Sequence, residues 1–345
     1  MPTSRRNTGR NSKLRLPGQV KKDGRVHGSF NQLSTVTGRF SSNEPNLQNL
    51  PPRARRLIIA PAGWLILGSD FSQIEPRILA HMSGDKHFQE PYLKGQDLYS
   101  TLASRVFKVP VSECGDGSIW RKKMKVGLLA VMYGTSMWTL AEQLGISVED
   151  AHRFILDFYQ AYPEVYQFIK ETHQFVKKHE YVLTLFHRKR RFPGHRQLAG
   201  LYDSLAAEIC RITGTKEVPF DFWDKGKYDI PYKLKRQFQD VKVDVERVRR
   251  MAVNARIQGS AADIMKIALI NIYKLCQAKG WRVNGTVHDE ALVLVPKNIT
   301  LREVQEIESC MLKAARLEVP VKVDTELMTR WGEGLKKHEY FAKAA

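Results

Sequence analysis

Residues 64–85, WLILGSDFSQIEPRILAHMSGD, narrow the folds open to this chain more than any other stretch. An apolar run of strand length, 64–67, leads through Gly68 and Ser69 to a single carboxylate, Asp70. Beyond it Ile74, Ile78, Leu79 and Met82 recur at helical spacing. The order is therefore strand, acid, helix. A carboxylate at the end of a buried strand is held on rigid backbone, which suits a hard cation such as Mg²⁺ that takes oxygen ligands. An Asp in this place also serves as a cap for the helix that follows, and on this stretch alone both readings stand.

Residues 282–296, RVNGTVHDEALVLVP, weigh on that choice. Two β-prone runs, 283–287 and 291–295, are joined by His288, Asp289 and Glu290, so a hairpin with acids at its tip is expected. If it pairs beside the strand ending at Asp70, two or three carboxylates converge at one sheet edge. That arrangement holds two divalent ions about 3.5–4 Å apart for phosphoryl transfer. Residues 121–134, RKKMKVGLLAVMYG, form a third centre. Arg121, Lys125, Leu129 and Tyr133 are spaced by four, so on a helix they make one slowly rotating stripe about 18 Å long. The two cations can hold a triphosphate, and the last two positions offer apolar surface to a base and sugar. A basic amphipathic helix facing solvent has the same pattern.

Composition limits the partners. Lys plus Arg is 55 against 36 Asp plus Glu, a net charge of +19 in 345 residues, which points to a polyanion. A hydrophobic content of 43% supports two or three globular subdomains rather than a disordered chain. Cys114, Cys210, Cys276 and Cys310 have no spacing that suits zinc or a disulfide framework, and a reducing cytosol fits them. No apolar stretch is long enough to span a bilayer, and the basic, polar N-terminus is unlike a signal peptide. Residues 1–24 read as a mobile basic arm, with order expected to begin near Arg25. Residues 25–52 carry turn chemistry throughout and read as a shaped binding loop without helix or strand.

The strings DFSQIEPRILAHMSGD (70–85) and VHDEALVLV (287–295), with the spaced Arg, Lys and Tyr-Gly of 121–134 between them, closely resemble the three polymerase motifs of family A DNA polymerases, the bacterial DNA polymerase I type. TGR (37–39) and PNLQN (45–49) match further in the expected order, and the likeness covers most of 25–193 and 247–332. It implies an α+β right hand. An antiparallel palm sheet carries Asp70, Asp289 and Glu290, helical fingers are inserted between the first and third motifs, and the thumb is largely absent. The implied division is a basic arm (1–24), palm (25–95), fingers (96–193), an insertion of unassigned role (194–246) and palm again (247–345).

The activity implied is template-directed transfer from a dNTP to a primer 3′-hydroxyl on primer–template DNA. Two Mg²⁺ ions would be held by Asp70, Asp289 and the backbone carbonyl of Phe71, with Glu290 accessory. Arg121 and Lys125 would neutralise the triphosphate, Lys125 also serving as a candidate proton donor to the leaving group. Gln73, Glu75, Leu129 and Tyr133 would line the nucleotide site, with Glu75 excluding ribonucleotides. Arg39, Asn46, Gln48, Arg250, Asn254, Gln258 and His288 would contact DNA. The chain departs from the family pattern at Leu129 (usually aromatic), Tyr99 (usually His) and Pro76 (usually aliphatic). The basic cluster 187–191, HRKRR, suits phosphate contact or a solvated turn.

The remaining expectations are helices over 97–107 and through 135–192 with a break at Pro163, one after Gly259, one over 304–317, a strand at 319–323 and an exposed tail. Two other functions are carried: an inactive palm serving as a DNA-binding subunit, against which Asp70, Asp289 and Lys125 stand intact, and a phage-type single-subunit RNA polymerase, against which Glu75 and PNLQN argue. A separate polypeptide supplying thumb and exonuclease is an expected partner, docked through the aromatic and basic segment 220–238. The unaided minimal polymerase is the alternative. The expected compartment is a bacterial or phage-infected host cytosol, with no membrane partner.

Overall fold

The computed structural model describes residues 16–224 and 226–344. It is a mixed α+β structure, 56% helix with an antiparallel sheet. Its residues fall into two units, unit 1 drawn from Met1–Asp70, Leu269–Met311 and Val323–Ala345, and unit 2 from Phe71–Ala268 and Leu312–Lys322. In chain order, the ribbon of β1 (Ser29–Asn31) and β2 (Ser41–Asn43), the one-turn helix α1 (Pro52–Arg55) and the strand β3 (Trp64–Phe71) come first. Next are α2 (Ile74–Ser83), α3 (Lys86–Leu93), α4 (Leu98–Phe107), α5 (Ile119–Tyr133), α6 (Met137–Leu144), α7 (Val148–Ala161) and α8 (Pro163–His179). The ribbon β4 (Tyr181–Leu183) and β5 (Lys189–Arg191) and the helix α9 (His195–Thr213) follow. The 48-residue α10 (Tyr232–Lys279) then leads to β6 (Arg282–Val287), β7 (Glu290–Pro296), α11 (Leu301–Leu312), β8 (Val323–Arg330), β9 (Glu333–Lys336) and α12 (Lys337–Ala344).

Unit 1 is organised by a five-stranded sheet of order β6-β7-β3-β8-β9. Its central strand, β3, is the apolar run that leads to Asp70, buried from Leu65 to Ser69. Side chains alternate between faces, so Ile66 joins Leu292, Leu294, Met328 and Trp331 in one apolar cluster with Leu50. Each such side chain contributes roughly 1.5–3 kcal/mol on burial, enough in sum to fix the register of β3 against its neighbours. At Gly68 a Cβ would stand 2.5 Å from Glu290 Oε1 and 2.8 Å from Met328 Cε, so the ends of those two side chains would have to move aside. The missing side chain is the space that the Glu290 carboxylate occupies.

Unit 2 is helical, and its helices begin where the sequence supplies caps. Ser118, Ser136 and Ser147 accept from the backbone N–H groups of Arg121, Thr139 and Asp150 at the starts of α5, α6 and α7. Gly134 ends α5 in the left-handed region at φ 62°, and Pro163 opens α8. On α5, Gly127 faces the ring of Phe154, which lies 2.2 Å from where a Cβ would be. The described residues of 194–246 form an excursion packed on its own apolar side chains. Leu205, Ile209, Phe222, Ile230, Leu234 and Phe238 form its core.

The structure corrects several expectations. Asp70 does not cap a helix: β3 runs on to Phe71, and the N-cap of α2 is Gln73, in the left-handed region at φ 55° with no side-chain cap. The arm's residues 1–15 lie outside the described residues, but order begins before Arg25, with a 3₁₀ turn at Leu16–Gln19 and a bridge between Val20 and Val26. The loop over 25–52 contains β1 and β2, whose three paired positions are too polar to read as strands. The helix expected after Gly259 begins at Tyr232, because the excursion's core residues Leu234 and Phe238 give its charged first turns an apolar side.

The helix expected over 304–317 is α11, ending at Leu312. The strand expected at 319–323 begins only at Val323. Pro320 has no N–H to donate to a ladder, and the carbonyls of Pro320 and Lys322 accept from Arg77 and from the backbone N–H of Ser72. The tail is exposed over most of its length, as expected, and has regular structure: β9 pairs with β8, and α12 follows. Of the aromatics in 220–238 expected to dock a partner, Phe222 and Phe238 are core residues of the excursion, while Phe220, Trp223 and Tyr232 are exposed.

Candidate active site

Three acids meet at one end of the unit 1 sheet. β3 and β7 run antiparallel with Asp70 directly opposite Glu290, and the hairpin turn before β7 supplies Asp289. His288 makes that turn in the left-handed region at φ 55° and is exposed. The Glu290 carboxyl is pushed up to about 7, first by burial and then by the negative charge of Asp70. Asp289 is answered by Arg39, whose Nη2 donates to its two oxygens at 3.3 and 3.4 Å across 250 residues of sequence. Phe71 is the last residue of β3.

This donor set suits one kind of metal. Among the described residues no group of three or more His, Cys, Asp or Glu forms a metal cage. Two carboxylates with a backbone carbonyl match an ion such as Mg²⁺, which keeps waters and completes its shell with substrate phosphates. Burial is the main cause of the upward push on Glu290, and the Asp70 charge that adds to it is what a cation at this edge would offset.

In unit 2, the stripe on α5 is the face left unburied. Lys125 is exposed and Arg121, Leu129 and Tyr133 are half-buried, while Met124, Gly127, Leu128, Ala130 and Val131 are buried. Arg121 is bidentate to Asp97, Nε at 2.9 Å and Nη2 at 3.0 Å, and reaches Asp116 at 3.2 Å. Its guanidinium also lies 5.6 Å from the ring of Tyr99. The Asp97 carboxyl is held below its ordinary value: burial opposes this, and the hydrogen bonds from Arg121 and Ser100 outweigh it. At the other end of α5, the Tyr133 hydroxyl donates to the buried Glu75. Gln73 accepts from the Tyr92 hydroxyl at 3.3 Å. None of these pairings is visible in the sequence, where the partners stand far apart; a carboxylate in the first turn of an amphipathic helix, as at Glu75, is the available signal.

The profile described as DNA polymerase family A matches residues 10–333. This chain belongs to family A of the DNA polymerases. It is 33% identical over 323 residues to a thermostable DNA polymerase I of Thermus thermophilus, covering 92% of this chain and 34% of that protein. It is 32% identical over 328 residues to the DNA polymerase I of Chloroflexus aurantiacus, covering 92% of this chain and 30% of that one. Among solved structures it resembles the POL domain of Pol1 from M. smegmatis, in complex with DNA primer-template and dNTP, at a TM-score of 0.73 and 31% identity over 92% of this chain and 50% of that chain. The chain thus spans about a third of the length of the curated relatives it matches.

The residues that the family likeness assigned to DNA have mixed surroundings. Asn46 caps a 3₁₀ turn, accepting from the N–H groups of Gln48 and Asn49 at 3.1 and 3.2 Å. Gln48 is buried and donates to the carbonyl of Thr286 at 3.2 Å, which ties the loop to β6. Arg250, Asn254 and Gln258 are half-buried on α10. Arg250 packs its stem on Gly134, 2.5 Å from where a Cβ would be, and Asn254 Oδ1 is buried with no hydrogen-bond donor among the described residues. In the basic cluster, Arg188 is committed to the fold, donating to Asp263 at 2.8 Å and to the Gly259 carbonyl at 3.1 Å.

Proposed function

We propose that this chain is a template-directed DNA polymerase that extends a primer 3′-hydroxyl with dNTPs, with the unit 1 sheet as palm and the α4–α7 helices as fingers. The observation that carries this is the β3–β7 register, which sets Asp70 opposite Glu290 and one residue from Asp289 in a family A chain. Asp70, Asp289 and the Phe71 carbonyl would hold two Mg²⁺ ions, which when bound lower the pKa of the primer hydroxyl and neutralise charge on the leaving pyrophosphate. Lys125, exposed on α5, binds the triphosphate and is placed to give a proton to the leaving group. Arg121 adds a second positive charge one turn earlier, and Asp97 keeps its guanidinium in a fixed orientation. Glu75, held by Tyr133, occupies room that a ribose 2′-hydroxyl needs. Arg39 orients Asp289 and contacts the primer strand.

The test is primer extension by the purified chain with each dNTP supplied singly. Addition only of the nucleotide complementary to the next template base, dependent on a divalent ion, is the expected result. The Arg39–Asp289 pair favours a second reading, an inactive DNA-binding subunit in which arginine stands permanently against that carboxylate. That reading gains if the chain binds primer–template but adds nothing at any Mg²⁺ or Mn²⁺ concentration.

A further inference from the structure

Behind Asp70, on the opposite face of β3, a buried polar chain crosses unit 1. Ser69 is fully buried, and its hydroxyl lies 3.0 Å from that of Thr325 on the neighbouring strand β8. Thr325, 5% exposed, donates to Glu308 Oε1 on α11 at 2.7 Å. Glu308, 8% exposed, receives Lys337 Nζ of α12 at 2.7 and 2.6 Å on its two oxygens. The direction of the chain is fixed by its acceptor. A carboxylate only accepts, so the single Thr325 proton goes to Glu308, and Ser69 must donate to Thr325. Every link is satisfied, from Ser69 through Thr325 to Glu308 and its lysine.

Such a chain is a poor source of stability. Removing the Glu308 carboxylate from water costs several kcal/mol even with Lys337, whose side chain stays 30% exposed, as its partner, and apolar residues of like volume serve a core as well or better. What it provides is geometry, because each hydroxyl has one donor direction and one partner that satisfies it. Ser69 precedes Asp70, and alternation along β3 places their side chains on opposite faces. Fixing Ser69 from behind therefore fixes where the Asp70 carboxylate points. On the other face, Glu290 lies against Gly68. Asp70 is thus bounded by packing in front and by the hydroxyl chain behind.

We propose that Lys337, Glu308, Thr325 and Ser69 are positioning residues that hold the end of β3, and with it Asp70, in the geometry needed for nucleotide addition; this rests on the reading of Asp70 as a metal ligand. The test uses the full chain and three variants, Thr325→Val, Thr325→Ser and Asp70→Asn. For each, the single-turnover rate, the Mn²⁺ affinity without turnover, hydrogen exchange at the amides of 69–71 and the unfolding midpoint are measured. Thr325→Val keeps the volume and removes the hydroxyl. It should lower the rate and weaken Mn²⁺ binding by about tenfold or more, and speed exchange at 69–71, well below the unfolding midpoint. Thr325→Ser should restore all three.

Wild-type rate and Mn²⁺ affinity in Thr325→Val, with Asp70→Asn inactive, overturn the positioning role and leave the site reading standing. Full activity in Asp70→Asn overturns the site reading and the positioning role with it. If Thr325→Val does not fold, Ser69→Ala takes its place, with the same rate and affinity losses expected and wild-type values overturning the proposal.

Discussion

Glu75 is buried yet meets the hydroxyl of Tyr133, a phenol from the far end of α5. In the proposed role a carboxylate kept in place this way would act by occupying space, and two variants separate its parts. Glu75→Ala should raise the use of ribonucleotides relative to deoxyribonucleotides by on the order of tenfold to a hundredfold, and Tyr133→Phe should raise it less, since the acid stays but loses its tether. Single-nucleotide addition with matched rNTP and dNTP gives the ratio, and an unchanged ratio in Glu75→Ala removes the residue from the sugar site. A second residue makes a pH prediction. His173 on α8 is lowered to about 4, by burial first and then by the positive charge of Arg249. The folded state thus takes up its proton later than the unfolded chain does. The stabilisation from keeping it neutral is complete above about 6.5 and is lost as pH falls toward 4, in total on the order of 3 kcal/mol. Unfolding midpoints between pH 4 and 7.5 should fall with acid in the parent chain and fall less in His173→Gln.

Among the elements, α5 shows how much of the site rests on one close contact. Gly127 lets the helix lie against Phe154, and a methyl there would sit 2.2 Å from the ring. Gly127→Ala should destabilise the protein by about 1–3 kcal/mol, and Phe154→Ala combined with it should cost less than the two single changes added together. Denaturant melts of the four proteins of that cycle give the coupling, and strict additivity would mean the helices do not meet as described. The same helix shows what could be read before the fold was known. Its length, its exposed stripe and its Gly134 stop follow from local spacing and turn chemistry, as do the central strand β3 and the acids of the β6–β7 turn. Partners across long separations do not. Nothing near Arg121 names Asp97, nothing near Arg39 names Asp289, and the run of Thr325, Glu308 and Lys337 behind Ser69 joins four elements. Polar β1, β2, β5 and β9 lack the apolar alternation that marks a strand, and β4 with β5 forms a ribbon where helix is expected through 135–192. The alternating valines of 319–323 suggest a strand, which Pro320 keeps from forming before Val323.

For the molecule as a whole, the net charge of +19 is the dominant property. Binding that neutralises several phosphates releases their counterions, so affinity for primer–template should drop on the order of a hundredfold or more between about 50 and 200 mM salt. Anisotropy titrations over that range test this, and a flat response would mean that the charge does not face DNA. No helix among the described residues is long and apolar enough to cross a membrane. The proposed chemistry depends on the acids at the end of β3 and the start of β7. Its most direct test is single-turnover addition of one nucleotide by Asp70→Ala, Asp289→Ala and Glu290→Ala beside the parent, with DNA affinity measured on the same preparations. Either Asp variant should lose on the order of a thousandfold in rate while binding DNA as the parent does, and Glu290→Ala should lose far less. Near-parental rates in Asp70→Ala or Asp289→Ala, with folding and DNA binding intact, would contradict the account.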